Sequence, residues 1–383
     1  STLGLYQVSN GNIIDLQAPN GVKSKPSVSD DGSLVVFVGA NNNMYFISFD
    51  WAQGQYNFGL LDDQNDWRNV VISKDGNRLA ALLDAEEPYI YIFDLLSQTN
   101  KSFKLYNPTT GSGGIFTDNV DYADAMEFDH TGEYLMYDAL SSLFFAGTEY
   151  WDIAFINVWN NSSKNYGDGE IEKLFTSLPD GVSVGNPVFS KNSPNIIAFD
   201  YIEDGTPEIN QLWGANIETG NIGVIYENNT LAYPCFSKDD KYVIFNSINN
   251  GEEVIGVQQL TSSKINPTGS ASLLIGDSYW GAWFGTGERV INSNFGLKVL
   301  KDKINVYPNP AKNEITLNWS TKNNFSGIIK VLDIKGNVLT TKSIELKEGE
   351  NSESIRLDNL PAGAYFIEAQ RGQLKKTVKF MKN

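Results

Sequence analysis

Groups able to do acid–base, nucleophilic or metal chemistry are scarce in this chain. Its one histidine, His130, falls in the turn Phe128-Asp129-His130-Thr131-Gly132, and its one cysteine, Cys235, stands between Pro234 and Phe236 on an expected inner strand. A Ser-His-Asp triad would have to pass through His130, which reads as a solvated turn residue, and one His with one Cys cannot assemble a zinc site. Cys235 reads as buried packing and has no second cysteine with which to form an intrachain disulfide. Acidic runs at 62–66 and 118–124 offer oxygens for calcium but lack the spacing and central glycine of a calcium loop, so they read as solvated loops. A carboxylate-clamping arginine triad would need all three arginines before residue 300, Arg68, Arg78 and Arg289, two of which fall just past repeat turns. No catalytic residue, metal or cofactor is assigned. Catalysis would rest on paired carboxylates, such as Asp124 with a second acid.

The elements that would position any site divide into two parts of opposite charge. From Lys301 onward the chain has 14 Lys and Arg against 9 Asp and Glu, whereas the 300 residues before it have 15 against 37. An acidic body of this kind repels nucleic-acid phosphates and anionic lipid, so neither is expected as a partner. No apolar run is long enough to span a bilayer, and no membrane insertion is expected. The 383 residues hold 34 Gly, 18 Tyr and 21 Phe, a balance that favours strands and tight turns, and the expected fold class is all-β.

Six segments of the body share a pattern in which an apolar residue precedes a small polar one, two loosely polar positions, a turn residue and a β-rich run. They are Val28-Ser29-Asp30-Asp31-Gly32, Ile72-Ser73-Lys74-Asp75-Gly76, Phe128 to Gly132, Phe189-Ser190-Lys191-Asn192-Ser193, Phe236-Ser237-Lys238-Asp239-Asp240 and Trp283-Phe284-Gly285-Thr286-Gly287. The spacing is about fifty residues, the period of propeller blades. The opening hairpin, strands around Leu5-Tyr6-Gln7-Val8 and Ile13-Ile14-Asp15-Leu16, is expected to complete the blade begun near residue 279 and so fasten the ring. Aligning the repeats puts Lys25, Arg68, Asn69, Asp124, Asn186, Tyr233 and Trp280 just ahead of the innermost strands. There they would line the mouth of a central channel and bind a protein or glycan ligand, rings stacking on sugars and carboxylates taking hydroxyl or amine donors. The repeat resembles the TolB-type, WD-like propeller repeats, which implies a six-bladed β-propeller over 1–300.

After a linker at 301–303, the strand-rich remainder reads as an immunoglobulin-like β-sandwich over 304–383. Its motifs are Tyr307-Pro308-Asn309-Pro310, Leu332-Asp333-Ile334-Lys335-Gly336, Leu360-Pro361-Ala362-Gly363-Ala364-Tyr365, and a terminal basic strand that includes Lys376 and Lys379. In this order they resemble the type A C-terminal sorting domain of the Bacteroidota type IX secretion system, with Asn337 where that family often has Arg. The resemblance implies export behind a signal peptide since removed, recognition by an outer-membrane translocon and shuttle barrel, and release or attachment at the cell surface. The body is then expected to be a surface binding or scaffolding module. The alternatives are a polysaccharide hydrolase or lyase and a component of the secretion machinery that keeps its tail.

Overall fold

The structure, a computed structural model, describes residues 2–107, 119–142, 149–175, 178–285, 291, 305–321, 324–333, 336–347, 349–371 and 374–383. Its regular elements are all strands. A hairpin of β1 (Gly4–Gln7) and β2 (Asn12–Asp15) comes first. Five antiparallel four-stranded sheets follow in chain order. The first is β3 (Ser27–Val28), β4 (Leu34–Val38), β5 (Met44–Asp50) and β6 (Gln55–Asp62); the second is β7 (Trp67–Ile72), β8 (Arg78–Leu83), β9 (Tyr89–Asp94) and β10 (Thr99–Lys104). The third joins β11 (Asn119–Phe128), β12 (Tyr134–Ser142) and β13 (Glu149–Asn157) to β16 (Ile171–Lys173), with a small hairpin β14 (Trp159–Asn160) and β15 (Asn165–Tyr166) inserted before the last strand. The fourth is β17 (Val182–Phe189), β18 (Ile196–Glu203), β19 (Ile209–Asn216) and β20 (Asn221–Asn228); the fifth is β21 (Cys235–Phe236), β22 (Tyr242–Asn249), β23 (Glu252–Gln259) and β24 (Ser272–Gly276).

The repeated motif makes the turn between the first two strands of each sheet. Ser29, Ser73 and Ser237 each donate from Oγ to the Asp two residues on, at 2.7, 2.6 and 2.8 Å. The same Oγ accepts the amide of the next strand's first residue, Leu34, Arg78 or Tyr242, at 2.9–3.1 Å. The third repeat exchanges the partners: Thr131 donates to Asp129, and Asp129 accepts the Tyr134 amide. The turn therefore tolerates either order, because it needs one hydroxyl donor and one oxygen acceptor at these two positions. Its last residue has positive φ at Gly32, Gly76, Gly132 and Asp240, which explains the recurrent glycine.

Strand periodicity then decides which sheet faces which. In β4, Val36 and Val38 pack with Val70, Ile72 and Ala81 of the second sheet. The alternate residues, Val35 and Phe37, pack the other way, with Leu16, Val22 and the hairpin residues Leu3 and Leu5. In β12, Leu135 and Tyr137 face the second sheet's Val71 and Ala80, while Met136 faces Val184 and Phe199 of the fourth. Ala198 and Leu212 of the fourth sheet meet Phe236 and Val243 of the fifth. Each sheet is thus apolar on both faces and is covered by its neighbours.

Residues 279–285 lie between the fifth sheet and the first. The Trp283 ring stacks on Tyr242 at 6.4 Å, and Phe284 lies 5.8 Å from Trp51. A Cβ at Gly32 would come within 2.6 Å of the Phe284 ring, so the turn glycine also permits this close approach. The expected pairing of the opening hairpin with strands beyond residue 286, and the repeat around Gly287, fall outside the described residues.

The tail has two sheets, β25 (Asn305–Tyr307), β26 (Glu314–Thr321) and β29 (Gly349–Arg356) in one, and β28 (Val338–Leu346), β27 (Phe325–Leu332), β30 (Gly363–Arg371) and β31 (Leu374–Lys382) in the other. They share a core in which Ile315, Leu317 and Ile355 meet Ile329, Val331, Ile367 and Phe380. No helix among the described residues is long and apolar enough to cross a membrane.

Candidate functional site

One cavity of about 300 Å³ is lined by the first strand, or the segment leading into it, from each of the five body sheets, together with Trp280, Ala282 and Trp283. It is the centre of the ring. All seven residues expected at the channel mouth, Lys25, Arg68, Asn69, Asp124, Asn186, Tyr233 and Trp280, line it. Their setting differs from the expectation in one respect: Arg68, Asn69, Asp124 and Asn186 lie inside β7, β11 and β17 rather than ahead of them. The strands run past the mouth because a register shift at Trp67/Asn69, Ala123/Met126 and Gly185/Val188 breaks the pairing there, and such bulges re-aim side chains. Pro26, Pro187 and Pro234 each follow a mouth residue, where a missing N–H leaves no ladder donor unpaired.

A second layer of residues holds this layout. The Asp138 carboxylate on β12 accepts the amides of Ala125 at 2.7 Å and Asp124 at 3.3 Å in its own sheet, and of Asn186 at 2.6 Å in the next. Asp200 on β18 accepts Ala232 N at 2.7 Å, Tyr233 N at 3.2 Å and Asn186 Nδ2 at 2.8 Å. Asn246 on β22 accepts Trp280 N at 2.9 Å. The three residues whose amides are received from the following segment, Asn186, Tyr233 and Trp280, all have positive φ, at 49°, 43° and 59°. An uncommon backbone conformation for large side chains is thus held by a buried acceptor from the preceding sheet. Burial, and then the charge of Asp124, pushes the Asp138 carboxyl up to about 7, and burial pushes that of Asp200 up to about 6.

Sequence reasoning missed these three anchors. The signal was present: Asp138, Asp200 and Asn246 each stand at the fifth position of a strand whose first four residues are apolar or aromatic and end in an aromatic one, in three successive repeats.

The electrostatics of the cavity oppose those of the body around it. Lys23, Lys25, Arg68, Lys74 and Lys191 line it against the two carboxylates Asp124 and Glu127. Glu127 contacts Lys74, lies 3.9 Å from Lys191 and accepts the Phe189 amide at 2.7 Å. Burial alone would raise its carboxyl, but the two lysines outweigh that and hold it at about 2. Lys74 and Lys191 stand at the variable second position after the apolar residue of their repeat turns, a position the sequence reading treated as loosely polar.

Lys25 is held differently. Its ammonium donates to the carbonyls of Pro234 at 2.6 Å and Tyr233 at 3.1 Å, and burial pulls its pKa below the usual lysine range. Arg68 lies over the Tyr122 ring at 4.3 Å, with Nε 3.7 Å from Asp84. Burial raises the Asp124 carboxyl, and Arg68 opposes the rise. Asn69 donates to the Asp124 carbonyl at 2.8 Å. The rings of Tyr233 and Trp280 meet edge to face at 6.1 Å. Of the other reactive groups, Cys235 is buried on the cavity wall and its sulfur accepts the Trp283 amide at 3.2 Å, while His130 stays in its turn, half-buried.

In the tail, the recognised motifs join the ends of the unit. Tyr307–Pro308 and Asn309–Pro310 are cis peptides; the Asn309 side chain accepts the Met381 amide at 2.9 Å, and Ala311 pairs with the last strand. Tyr365 donates its hydroxyl to the Pro361 carbonyl at 2.8 Å, which accounts for the four-residue spacing of the Pro-Ala-Gly-Ala-Tyr segment that closes with Gly363 and Tyr365. Gly336 has φ 83°, and Asn337 makes two hydrogen bonds at 2.9 Å to the Asp333 carboxylate, giving the departure at Asn337 a role in its own turn. Lys376 and Lys379 lie on β31, in register with Ala369 and Phe366.

Residues 305–383 match the family described as the secretion system C-terminal sorting domain. No curated protein sequence matches the chain. Among solved structures, TolB from Acinetobacter baumannii is 14% identical with a TM-score of 0.52, the match covering 74% of this chain and 63% of that one. A TolB-type structure from Agrobacterium tumefaciens is also 14% identical, with a TM-score of 0.37 over 82% of this chain and 98% of that one. The chain thus joins a TolB-like β-propeller body to a C-terminal sorting domain of the type IX secretion system.

Proposed function

We propose that this protein is a binding module delivered to the cell surface, a six-bladed propeller that seats its ligand in the central cavity and is exported by an immunoglobulin-like tail. The observation that carries the reading is the convergence of the seven mouth residues on one cavity, three of them, Asn186, Tyr233 and Trp280, held by buried acceptors of the second layer. Large side chains held at positive φ by buried acceptors suit a preformed binding surface. In this reading the sixth blade is begun by residues 279–285 and completed by the opening hairpin, residues 301–303 are a linker, and residues 304–383 are the part that a translocon and shuttle barrel recognise.

Binding is favoured over polysaccharide hydrolysis because, among the described residues, the cavity wall has no suitable pair of acids. Asp124 would need a carboxylate partner on the wall, and the other one there, Glu127, is engaged by two lysines and an amide that hold it ionised far below neutrality. The test is a glycan and peptide array screen with the full chain and with Ala282→Trp, which puts an indole into the cavity. Binding lost in the variant while the fold is kept is the expected result. Binding that persists places the ligand elsewhere and overturns the reading. For export, deletion of residues 304–383 is expected to leave the body in the periplasm, and its appearance at the surface would contradict that assignment.

A further inference from the structure

The reading above leaves the ligand's chemistry open, and the charges narrow it. The body is strongly acidic, yet the charged residues that line the cavity at its centre are mainly cations. Two of those cations, Lys74 and Lys191, already have Glu127. Lys25 is different: two of its three N–H groups go to carbonyls, and the carboxylates of Glu127 and Asp200 act on it only through space. A half-buried ammonium in that state is costly, and an anion seated beside it would offset the cost. Arg68 reaches Asp84 only through Nε at 3.7 Å and has donors to spare.

We infer that the occupant of the central cavity is a sugar carboxylate, a hexuronate unit, with its carboxylate facing Lys25 and Arg68. This rests on the cavity being the ligand site. Asp124 on the same wall selects against a doubly charged phosphate, which it would repel, and in favour of a monoanion that also offers hydroxyl donors. Tyr233 and Trp280 supply ring surface for the apolar face of a pyranose. A volume of about 300 Å³ lies at the small end of ligand pockets and suits one or two sugar units.

The test is calorimetric titration of the full chain with glucuronate, galacturonate, a short oligogalacturonide, glucose, galactose, inorganic phosphate and N-acetylalanine. The uronates are expected to bind at least tenfold tighter than the matched neutral sugars. Lys25→Met, which keeps the stem and removes the charge, is expected to weaken them about 10- to 100-fold, as is Arg68→Gln. Comparing the monomer with the oligomer decides whether a free sugar or a chain end is the source. Equal binding of glucose and glucuronate, tighter binding of phosphate or N-acetylalanine, uronate binding unchanged in both variants, or no uronate binding at all would each overturn the inference. Should Lys25→Met fail to fold, Arg68→Gln and the salt dependence of uronate affinity in the unmodified chain carry the same test. The two readings fail separately: a ligand displaced by Ala282→Trp but indifferent to Lys25→Met leaves the cavity as the site and removes the uronate.

Discussion

Replacing Asp200 with alanine tests the claim that a buried carboxylate from one sheet sets the mouth of the next. The change removes the acceptor for Ala232 N, Tyr233 N and Asn186 Nδ2. Leaving two enclosed main-chain donors without a partner costs about 2–5 kcal/mol. Ionisation works the other way. The Asp200 carboxyl is raised from 3.8 to about 6, so the folded protein binds more protons than the unfolded chain between these pH values, and stability falls as pH rises through that window. The group's contribution is therefore complete below about pH 4 and diminished by roughly 3 kcal/mol above pH 6. Alanine lacks both the hydrogen bonds and the titration, so Asp200→Ala is expected to be more destabilising at pH 5 than at pH 8, by about 1.4 kcal/mol. Urea denaturation followed by tryptophan fluorescence measures this, since seven of the eight tryptophans precede residue 300 and report on the body. A penalty equal at the two pH values, or greater at pH 8, would refute the reasoning.

Two further outcomes follow from the same structure. Glu127→Gln leaves Lys74 and Lys191 crowded without their carboxylate and is expected to cost about 3–5 kcal/mol at neutral pH; because Glu127 is depressed to about 2, its contribution is present above pH 4.5 and is lost as pH falls towards 2, so urea midpoints of variant and parent should converge on acidification. Tyr365→Phe deletes the hydroxyl bond to Pro361 and is expected to lower the tail's stability by about 1 kcal/mol, read by calorimetry as a lower transition temperature for the tail with the body's transition left in place.

What was legible in the sequence was local. The Ser-x-Asp-Gly turn and its variants are written within five residues, and its hydrogen bonds form over two- and five-residue separations, so six repeats could be read and the mouth positions aligned from them. Even the third copy, with Asp129 and Thr131 exchanged, keeps the same chemistry. The anchors could not be read that way. Asp138 meets Asn186 across 48 positions, and an isolated Asp in an apolar strand carries no mark of which amide it will face. The cationic lining escaped for a similar reason: Lys74 and Lys191 look like solvated turn residues until the ring turns them inward to Glu127. The inserted hairpin of β14 and β15 was also missed, because its strands have two residues each and are joined by a polar run without glycine.

The central claim is that a ligand sits at the centre of the ring. A crystal structure of the full chain grown with galacturonate measures this directly. The expected result is a sugar bounded by Lys25, Arg68, Asp124 and the rings of Tyr233 and Trp280. Density for the sugar on an outer face, with the centre holding only solvent, would contradict it.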